Sequence, residues 1–263
     1  MRNITASQLA SPETSRKLSV RLADSPADLI AVQRLRARVF FEEMGGGEAF
    51  DQLDADVYDP LCDHLLVIDE GADREVVGTY RLLRESVAKA SFGFYSSGEY
   101  DLASILSGPQ RPQGELVELG RSCVLAPYRT SATIQLLWRG IADYIARHNI
   151  GLLFGCASFP GTDPDRHAAA LSWLHHHHLA DLPCRPSVLP GLGVTMERLP
   201  IGGYDERAAL AALPPLVKGY LRLGARFGDG AYIDHAFNTV DVFVTMPVER
   251  ISQRYAARFC VAA

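Results

Sequence analysis

Apolar and polar residues follow one another along the chain in patterns that predict both strands and helices. Alternation over residues 17–22 predicts a first strand. The apolar runs 64–69 and 76–84, separated by a charged turn, predict an antiparallel hairpin. Further strands are predicted over residues 115–125 and 150–157.

Helical periodicity fills the segments between these strands. Ser25 as N-cap and Pro26 in the first turn predict the start of a helix whose apolar stripe reaches Phe40. A strong amphipathic helix is expected to open at Ser131 or Thr133. Its predicted apolar face consists of Ile134, Leu137, Trp138, Ile141 and Ile145. Another helix is expected to begin near Asp163 and Pro164 and to run toward His178.

This order of elements predicts an α/β fold with a mixed central sheet and helices on both faces. A long loop is expected over residues 42–60 and a short helix over 102–106. After residue 183 the sequence is richer in proline and glycine; it predicts a helix over 213–226, strand-like sequence over 232–246 and a last helix over 248–255. We therefore expect a flexible tail (1–16), a core (17–182) and a C-terminal α+β extension (183–263) packed on that core.

Composition narrows the classes of function. The chain has 263 residues, of which 48 % are hydrophobic, enough for a folded core. A net charge of −5 does not favour nucleic acid as a partner, and no apolar run reaches the ~20 residues that span a bilayer. Five scattered cysteines indicate a reducing compartment. The consecutive His175–His178 side chains would point in different directions on a helix, so we expect no metal site there.

Charged residues in the first half of the chain occur in a recognisable order. Arg36 and Phe40 are spaced four apart on the first predicted helix, and Asp51 and Asp54 lie in the loop that follows. Arg81 lies in the hairpin, and Glu118 and Arg121 lie three apart on the next strand. This order resembles that of the acyl-homoserine-lactone synthases, which have a GNAT fold and take acyl chains from acyl carrier protein. That resemblance implies S-adenosylmethionine as the second substrate.

A second resemblance covers nearly the whole chain past residue 17. The segments PPLVKGYLRLGA at 214–225 and DHAFNTVD at 234–241, with ELGRSCV at 118–124 and PYR at 127–129, are similar to the L-ornithine Nα-acyltransferases. It implies transfer of a 3-hydroxyacyl group from acyl carrier protein to the α-amine of L-ornithine, which gives lyso-ornithine lipid. The tryptophan that lactone synthases usually carry after Arg-x-x-x-Phe is absent here. We therefore expect a GNAT-like bacterial acyltransferase that uses no cofactor.

These resemblances suggest roles for the charged residues. Glu118 is expected to take the proton of the amine, with Arg121 beside it; the alternative is a salt bridge from Glu118 to Arg121 or Arg81. Gly120 could mark a bulge near the acyl carbonyl. Arg36, Phe40, Asp51, Asp54 and Arg81 are expected to bind substrate, an arginine holding its carboxylate. The alternative is a network that pins the helix and loop over the sheet.

Three further groups of residues are predicted to make contacts. Cys123, Arg129, Thr130 and Ser131 are expected to hold the phosphopantetheine arm of the donor, the alternative for the last three being a plain helix cap. Asp234, Asn238 and Asp241 are expected to line the amino acid pocket, or else to stabilise a turn. Lys218, Arg222 and Arg226, spaced four apart, are expected to touch the carrier or an anionic membrane, the alternative being a solvated face.

Two readings other than an ornithine acyltransferase stay open at this point. One is the lactone synthase already described. The other is a protein without enzymatic activity that associates with a membrane or binds an acyl carrier. For each, we expect a cytoplasmic protein, at most bound peripherally to the inner face of the membrane.

Overall fold

The structure is a computed structural model that describes residues 16–45 and 53–251. The strands are β1 (Leu18–Leu22), β2 (Asp63–Asp69), β3 (Glu75–Arg84), β4 (Tyr100–Asp101), β5 (Glu115–Val124), β6 (Ile150–Pro160), β7 (Ser187–Val188), β8 (Gly193–Val194), β9 (Arg226–Asp234) and β10 (Thr239–Pro247). The helices are α1 (Pro26–Ala37), α2 (Glu85–Lys89), α3 (Ala103–Leu106), α4 (Ser131–His148), α5 (Ala168–His178), α6 (Glu206–Ala212) and α7 (Pro215–Arg222).

The strands of the described residues form one mixed sheet in the order β1-β2-β3-β5-β6-β10-β9-β7-β4, with β8 on β9. Neighbouring strands are antiparallel except for β5–β6 and β7–β9, which are parallel. β10 pairs with β6 from Thr239↔Pro160 to Pro247↔Leu152, so strands from before and after residue 183 share this sheet. The predicted boundary at that residue stays a prediction.

Helices cover both faces of the sheet because side chains of a strand point alternately to its two sides. On β2, Leu66 and Ile68 pack with Val32 of α1, whereas Leu65 packs against α4 close to Gly140. The expected mixed sheet with two covered faces is therefore confirmed.

Helix starts agree with their capping signals. Ser25 Oγ accepts a hydrogen bond from the Asp28 N–H at the start of α1, as predicted. Thr130 is the N-cap of α4, one residue before the predicted start at Ser131. The prediction for Ile134 is wrong, since this side chain is 42 % exposed, unlike the buried Leu137 on the same helix.

The C-terminal part departs most from the predicted elements. The predicted helix 213–226 contains only α7, which ends at Arg222, and Arg226 already begins β9. The strand-like segment 232–246 is the end of β9, a turn and most of β10. Of the predicted last helix, Val248–Arg250 is a single 3-10 turn, and the segment from 252 onward lies outside the described residues. Periodicity alone does not separate short helices from strands at such junctions.

The centre of the sheet opens between its two long parallel strands. β5 and β6 pair only from Glu115↔Ile150 to Glu118↔Phe154, while β6 continues to pair with β10. Beyond that point β5 carries a bulge opposite Thr79–Arg81, and Arg121 has a left-handed φ of 49°. The bulge predicted around Gly120 is confirmed, but the unusual backbone lies at the next residue. A gap between the strands results.

The packing of α4 on β2 gives a first testable expectation. A methyl group at Gly140 would lie 2.6 Å from Leu65 Cδ1 inside the core. Overpacking costs about 1–3 kcal/mol and alanine gains about 1 kcal/mol over glycine in a helix. We expect Gly140→Ala to lower the free energy of unfolding in urea, by up to about 2 kcal/mol. Gly219→Ala on α7, with nothing within 4 Å of the added atom, is the control and should not destabilise the protein. Equal effects of the two changes would contradict this packing.

Candidate active site

A cavity of about 220 Å³ lies where β5 and β6 separate. Its walls include Leu119–Ser122 of β5 and Cys156–Ser158 of β6. The turn before β4 and the β9–β10 hairpin close its far side. Among the predicted site residues, Phe40, Arg81, Glu118, Arg121, Asp234 and Asp241 line it.

A buried ion-pair network lies beside this cavity, centred on Arg36. The Arg36 side chain is fully buried; its Nη1 and Nη2 donate to the Asp59 carboxylate at 3.0 and 2.6 Å. Its Nε lies 2.8 Å from Asp54 Oδ2, and its Nη2 also donates to the Asp54 carbonyl. Arg36 and Asp54 do not line the cavity. The prediction that they bind substrate directly is wrong, because each is buried and occupied by the other and by Asp59.

Arg81 and Arg121 extend the network to the cavity wall. Arg81 Nη1 donates to Asp56 at 2.7 Å and to Asp59 at 3.0 Å. Arg121 lies 3.1 Å from Asp54 and 3.2 Å from Asp56. The loop before β2 thus joins α1, β3 and β5, which is the pinning role left open by the sequence.

The shifted pKa values of Asp59 and Arg81 keep both side chains charged within these ion pairs. Burial would raise the pKa of Asp59, but hydrogen bonds and charge from Arg36 outweigh it and hold that pKa well below its usual range. Burial would lower the pKa of Arg81, but the bond and charge of Asp56 raise it instead. The sequence analysis did not predict Asp56 and Asp59 as site residues. The acidic run DADVYD at 54–59 is the signal that could have indicated them. Asp51 lies outside the described residues.

Glu118 is 5 % exposed and bonds to backbone rather than to an arginine. Its two oxygens accept the N–H groups of Tyr95 and Ser96 at 2.7 and 2.8 Å. Among the described residues it forms no ion pair with Arg121 or Arg81, so that alternative is wrong. Burial raises the pKa of Glu118, an effect that these hydrogen bonds oppose. A buried carboxyl with a raised pKa at a cavity wall is suited to exchanging a proton near neutral pH.

The sequence did not single out Glu99, which lies on the cavity wall next to the Tyr95–Gly98 turn. It is 8 % exposed, and burial followed by the nearby Asp241 raises its pKa to about 8. Burial likewise raises the pKa of Asp241 to about 6, although the hydroxyls of Ser158 and Thr239 oppose the rise. Glu99 occurs in the polar stretch SSGEY, which reads as an exposed loop.

The turn between β9 and β10 combines the two alternatives predicted for this segment, a residue that lines the cavity and a side chain that stabilises the turn. Asp234 Oδ1 accepts the N–H groups of Ala236 and Phe237, so this carboxylate stabilises the turn while lining the cavity. Asn238 adopts a left-handed φ of 55° and does not line the cavity, contrary to its predicted contact with substrate. Its position suits the tolerance of asparagine for that backbone region.

Aromatic rings cover the mouth of the cavity. The last turns of the first helix are π-helical over Arg38–Glu43. The Phe40 ring lies 5.7 Å from that of Phe237, and Arg121 Cζ lies 4.5 Å from the Phe237 ring centroid. These apolar rings meet the charged wall at one edge of the site.

The residues predicted to hold the donor arm lie apart from the cavity wall. Cys123 has its side chain buried in the hydrophobic core, where burial raises the pKa of its thiol to about 12, and its contact with the donor stays a prediction. Thr130 Oγ1 accepts the Thr133 N–H as a helix cap, and Ser131 is the first residue of α4. Arg129 donates to the Val124 carbonyl and pairs with Glu43. This helix N-terminus follows directly on β5.

The predicted basic face does not exist as one helical surface. Lys218 Nζ donates to the Ala211 carbonyl at 2.6 Å, and Arg222 is exposed at the end of α7. Arg226 lies on β9 and contacts His178 Nδ1 at 3.1 Å. Arg226 is therefore separated from Lys218 and Arg222, because the helix ends before it.

The histidines of α5 turn toward different neighbours. His176 Nδ1 lies 2.8 Å from the Tyr204 hydroxyl, while His178 contacts Arg226. Within the described ranges, no group of three or more potential ligand side chains is arranged to hold a metal ion. None of the helices in those ranges has the length and apolar composition needed to cross a bilayer.

Comparison with known proteins identifies the class. Residues 35–139 match the acetyltransferase (GNAT) domain family. The fold resembles FeeM, an N-acyl amino acid synthase from uncultured soil microbes, with a TM-score of 0.53 and 11 % identity over 89 % of this chain and 93 % of that one. It also resembles the acyl-homoserine lactone synthase BjaI, with a TM-score of 0.54 and 16 % identity over 94 % and 92 % of the two chains. The protein is an acyltransferase with a GNAT fold, as the sequence predicted.

Sequence relatives identify the family within that class. The L-ornithine N(alpha)-acyltransferase of Brucella abortus is 49 % identical over 92 % of this chain and 88 % of its own length. The enzyme of the same name from Rhizobium meliloti is 48 % identical over 90 % and 82 % of the two chains. The chain belongs to the L-ornithine Nα-acyltransferase family. This confirms the second resemblance and sets aside the lactone-synthase and non-enzymatic readings.

The buried network predicts a specific loss of stability. Asp59→Asn removes a charge that Arg36, Arg81 and Gln33 all contact, and it leaves Arg36 buried with one carboxylate fewer. Breaking such a pair costs about 3–5 kcal/mol of unfolding free energy. Asp56→Asn is the control, because Asp56 is 22 % exposed and water can replace part of its contacts; we expect a loss of about 1–2 kcal/mol. Chemical denaturation measures both losses, and equal losses would contradict the greater dependence of the network on the buried Asp59 than on Asp56.

Proposed function

We propose that this protein transfers a 3-hydroxyacyl group from acyl carrier protein to the α-amine of L-ornithine, giving lyso-ornithine lipid. Family membership supports ornithine as the acceptor. The observation that carries the proposal is a cavity that combines four carboxyl groups, Glu99, Glu118, Asp234 and Asp241, with two arginines that loop aspartates already neutralise. Such a cavity offers several carboxyl groups that can pair with ammonium groups, and it favours an acceptor that carries two amines.

Arg121 is the proposed contact for the α-carboxylate of the acceptor. Its side chain is 12 % exposed and lines the cavity, whereas Arg81 is 4 % exposed and more fully enclosed by Asp56 and Asp59. Nε and Nη2 of Arg121 face Asp54 and Asp56, which fixes the plane of the guanidinium. Its remaining N–H groups are donors suited to a carboxylate.

Glu118 is the proposed proton acceptor. Glu118 takes a proton from the α-ammonium group, and the neutral amine nitrogen then attacks the thioester carbonyl carbon. The carbon–sulfur bond breaks, and the proton that the nitrogen loses as the amide forms passes to the sulfur, so that the carrier leaves as a thiol. Two backbone N–H groups hold the carboxylate in place, and each oxygen keeps a further lone pair for a proton. An α-amine has a pKa near 8, so a modest base suffices.

The gap between β5 and β6 is the proposed path of the donor arm. Separated strands leave backbone N–H and C=O groups free of ladder pairing, and the amides of phosphopantetheine can bond to them. Arg129, Thr130 and Ser131 at the start of α4 then lie where the single phosphate of the arm would meet a helix N-terminus. No resident cofactor is needed, because the thioester is already activated.

The carrier protein and a membrane are the proposed macromolecular contacts. Lys218 and the exposed Arg222 on α7 place positive charge close to Leu216, which lines the cavity. Positive charge beside the entrance would attract an acidic carrier or an anionic membrane surface that accepts the lysolipid. We propose a cytoplasmic protein that acts at the inner face of the cytoplasmic membrane.

An assay with defined acceptors tests this function. Purified protein is supplied with 3-hydroxyacyl-acyl carrier protein and, separately, ornithine, lysine, glutamine or S-adenosylmethionine, and products are read by mass spectrometry. We expect the ornithine amide as the main product. A lactone from S-adenosylmethionine, or no product with any acceptor, would overturn the proposal.

The role of Glu118 is tested through its dependence on pH. We expect Glu118→Gln to lower kcat by about 10²–10⁴-fold at pH 7, because the amine then loses its proton acceptor. The defect should shrink toward pH 9, where more of the α-amine is already neutral. A loss that is equal at all pH values would instead assign Glu118 to holding the Tyr95–Gly98 turn. Asp143→Asn, an exposed carboxylate on α4 outside the cavity, is the control.

A further inference from the structure

Glu99 and Asp241 are two carboxyl groups on the cavity wall that the acyl-transfer step does not use. Glu99 is 8 % exposed and Asp241, on β10, is 7 % exposed. The Cys156 thiol donates to Glu99 Oε2 at 3.4 Å. Asp241 Oδ1 has no hydrogen-bond partner among the described residues, although it is buried at the cavity. A buried, unpartnered carboxylate oxygen is costly and calls for a ligand that can donate to it.

No positive side chain of the described residues forms an ion pair with Glu99 or Asp241, although the charge of Arg121 partly opposes the rise in the pKa of Asp241. Arg81 and Arg121, the arginines of the cavity, pair with Asp54, Asp56 and Asp59. Neither Glu99 nor Asp241 takes part in an ion pair within the described ranges. An ammonium group of the acceptor is therefore a suitable positive partner for this pair.

The protonation state of Glu99 in the absence of a ligand agrees with a cationic partner for this pair. Burial, and then the charge of Asp241, raises the pKa of Glu99 to about 8, so this carboxyl retains its proton at neutral pH when nothing is bound. An ammonium group that enters would replace the proton as the positive partner. Such a site distinguishes a cationic group from an apolar one of similar shape, because the apolar group leaves the carboxyls unpaired.

We infer that Glu99 and Asp241 form the subsite for the side-chain ammonium of the acceptor and thereby select a diamino acid. This inference rests on the proposed function and adds a specificity determinant to it. Arg121 then holds the α-carboxylate and Glu118 faces the α-amine, so the three polar groups of ornithine have separate partners around one cavity. Asp234 is not assigned to this pair: its Oδ1 accepts two backbone N–H groups and stabilises the β9–β10 turn.

A competition between two acceptors tests the subsite. L-Norvaline has the carbon skeleton of ornithine but lacks the side-chain amine. The wild-type protein, Glu99→Gln and Asp241→Asn each receive 3-hydroxyacyl-acyl carrier protein with ornithine and norvaline together, and mass spectrometry gives the ratio of the two amides. This ratio reports relative kcat/KM and does not depend on how much of a variant is folded. Asp143→Asn serves as the matched control.

We expect the ratio of ornithine to norvaline product to fall about 10- to 100-fold in either variant, because a charged hydrogen bond to the ammonium is lost. The control should keep the wild-type ratio. An unchanged ratio in both variants, or loss of both products in both variants, would overturn the inference and assign the pair to folding or to the chemical step. Failure of the wild-type protein to acylate ornithine would overturn the proposed function itself, which keeps the two failures distinct.

Discussion

The buried contact between Arg36 and the aspartates of the loop before β2 is the constraint on which the site depends. Arg36 is fully buried, so its charge must be met by Asp54 and Asp59 at short distance. The same aspartates, with Asp56, also bind Arg81 and Arg121. The network therefore fixes α1 and β5 relative to each other and sets the orientation of the guanidinium groups that face the cavity.

The separation of β5 from β6 leaves a cavity beside this network. β5 and β6 separate after Glu118, and the bulge at Arg121 directs that side chain toward the loop aspartates. Glu118 is the last residue of β5 that pairs with β6. It anchors the Tyr95–Gly98 turn by accepting two backbone N–H groups. Glu99 directly follows this turn, so Glu118 also helps to position a second carboxyl group of the cavity. Arginines and carboxyl groups thus line one small cavity, which suits an amino acid that carries both a carboxylate and amines.

Much of the charged site could be predicted because its residues stand in a recognisable order along the chain. Arg81, Glu118, Arg121, Asp234 and Asp241 all line the cavity. Arg36 and Asp54 were placed near the site but given the wrong contact, since sequence order does not show how deeply a side chain is buried. Cys123 was predicted at the donor site, yet strand alternation around a bulge turns it into the core.

Local patterns in the chain were enough to predict the order of the main strands and helices, the helix starts at Ser25 and at Ser131, and the family. These features depend on local periodicity, on capping chemistry and on motifs that are contiguous in the chain. The three-dimensional fold was needed to show that β10 joins β6, that Asp59 completes the arginine network and that Asp241 lies close enough to Glu99 to raise its pKa. Those contacts join residues far apart in sequence, and their energies come from burial and charge proximity, which no local pattern encodes.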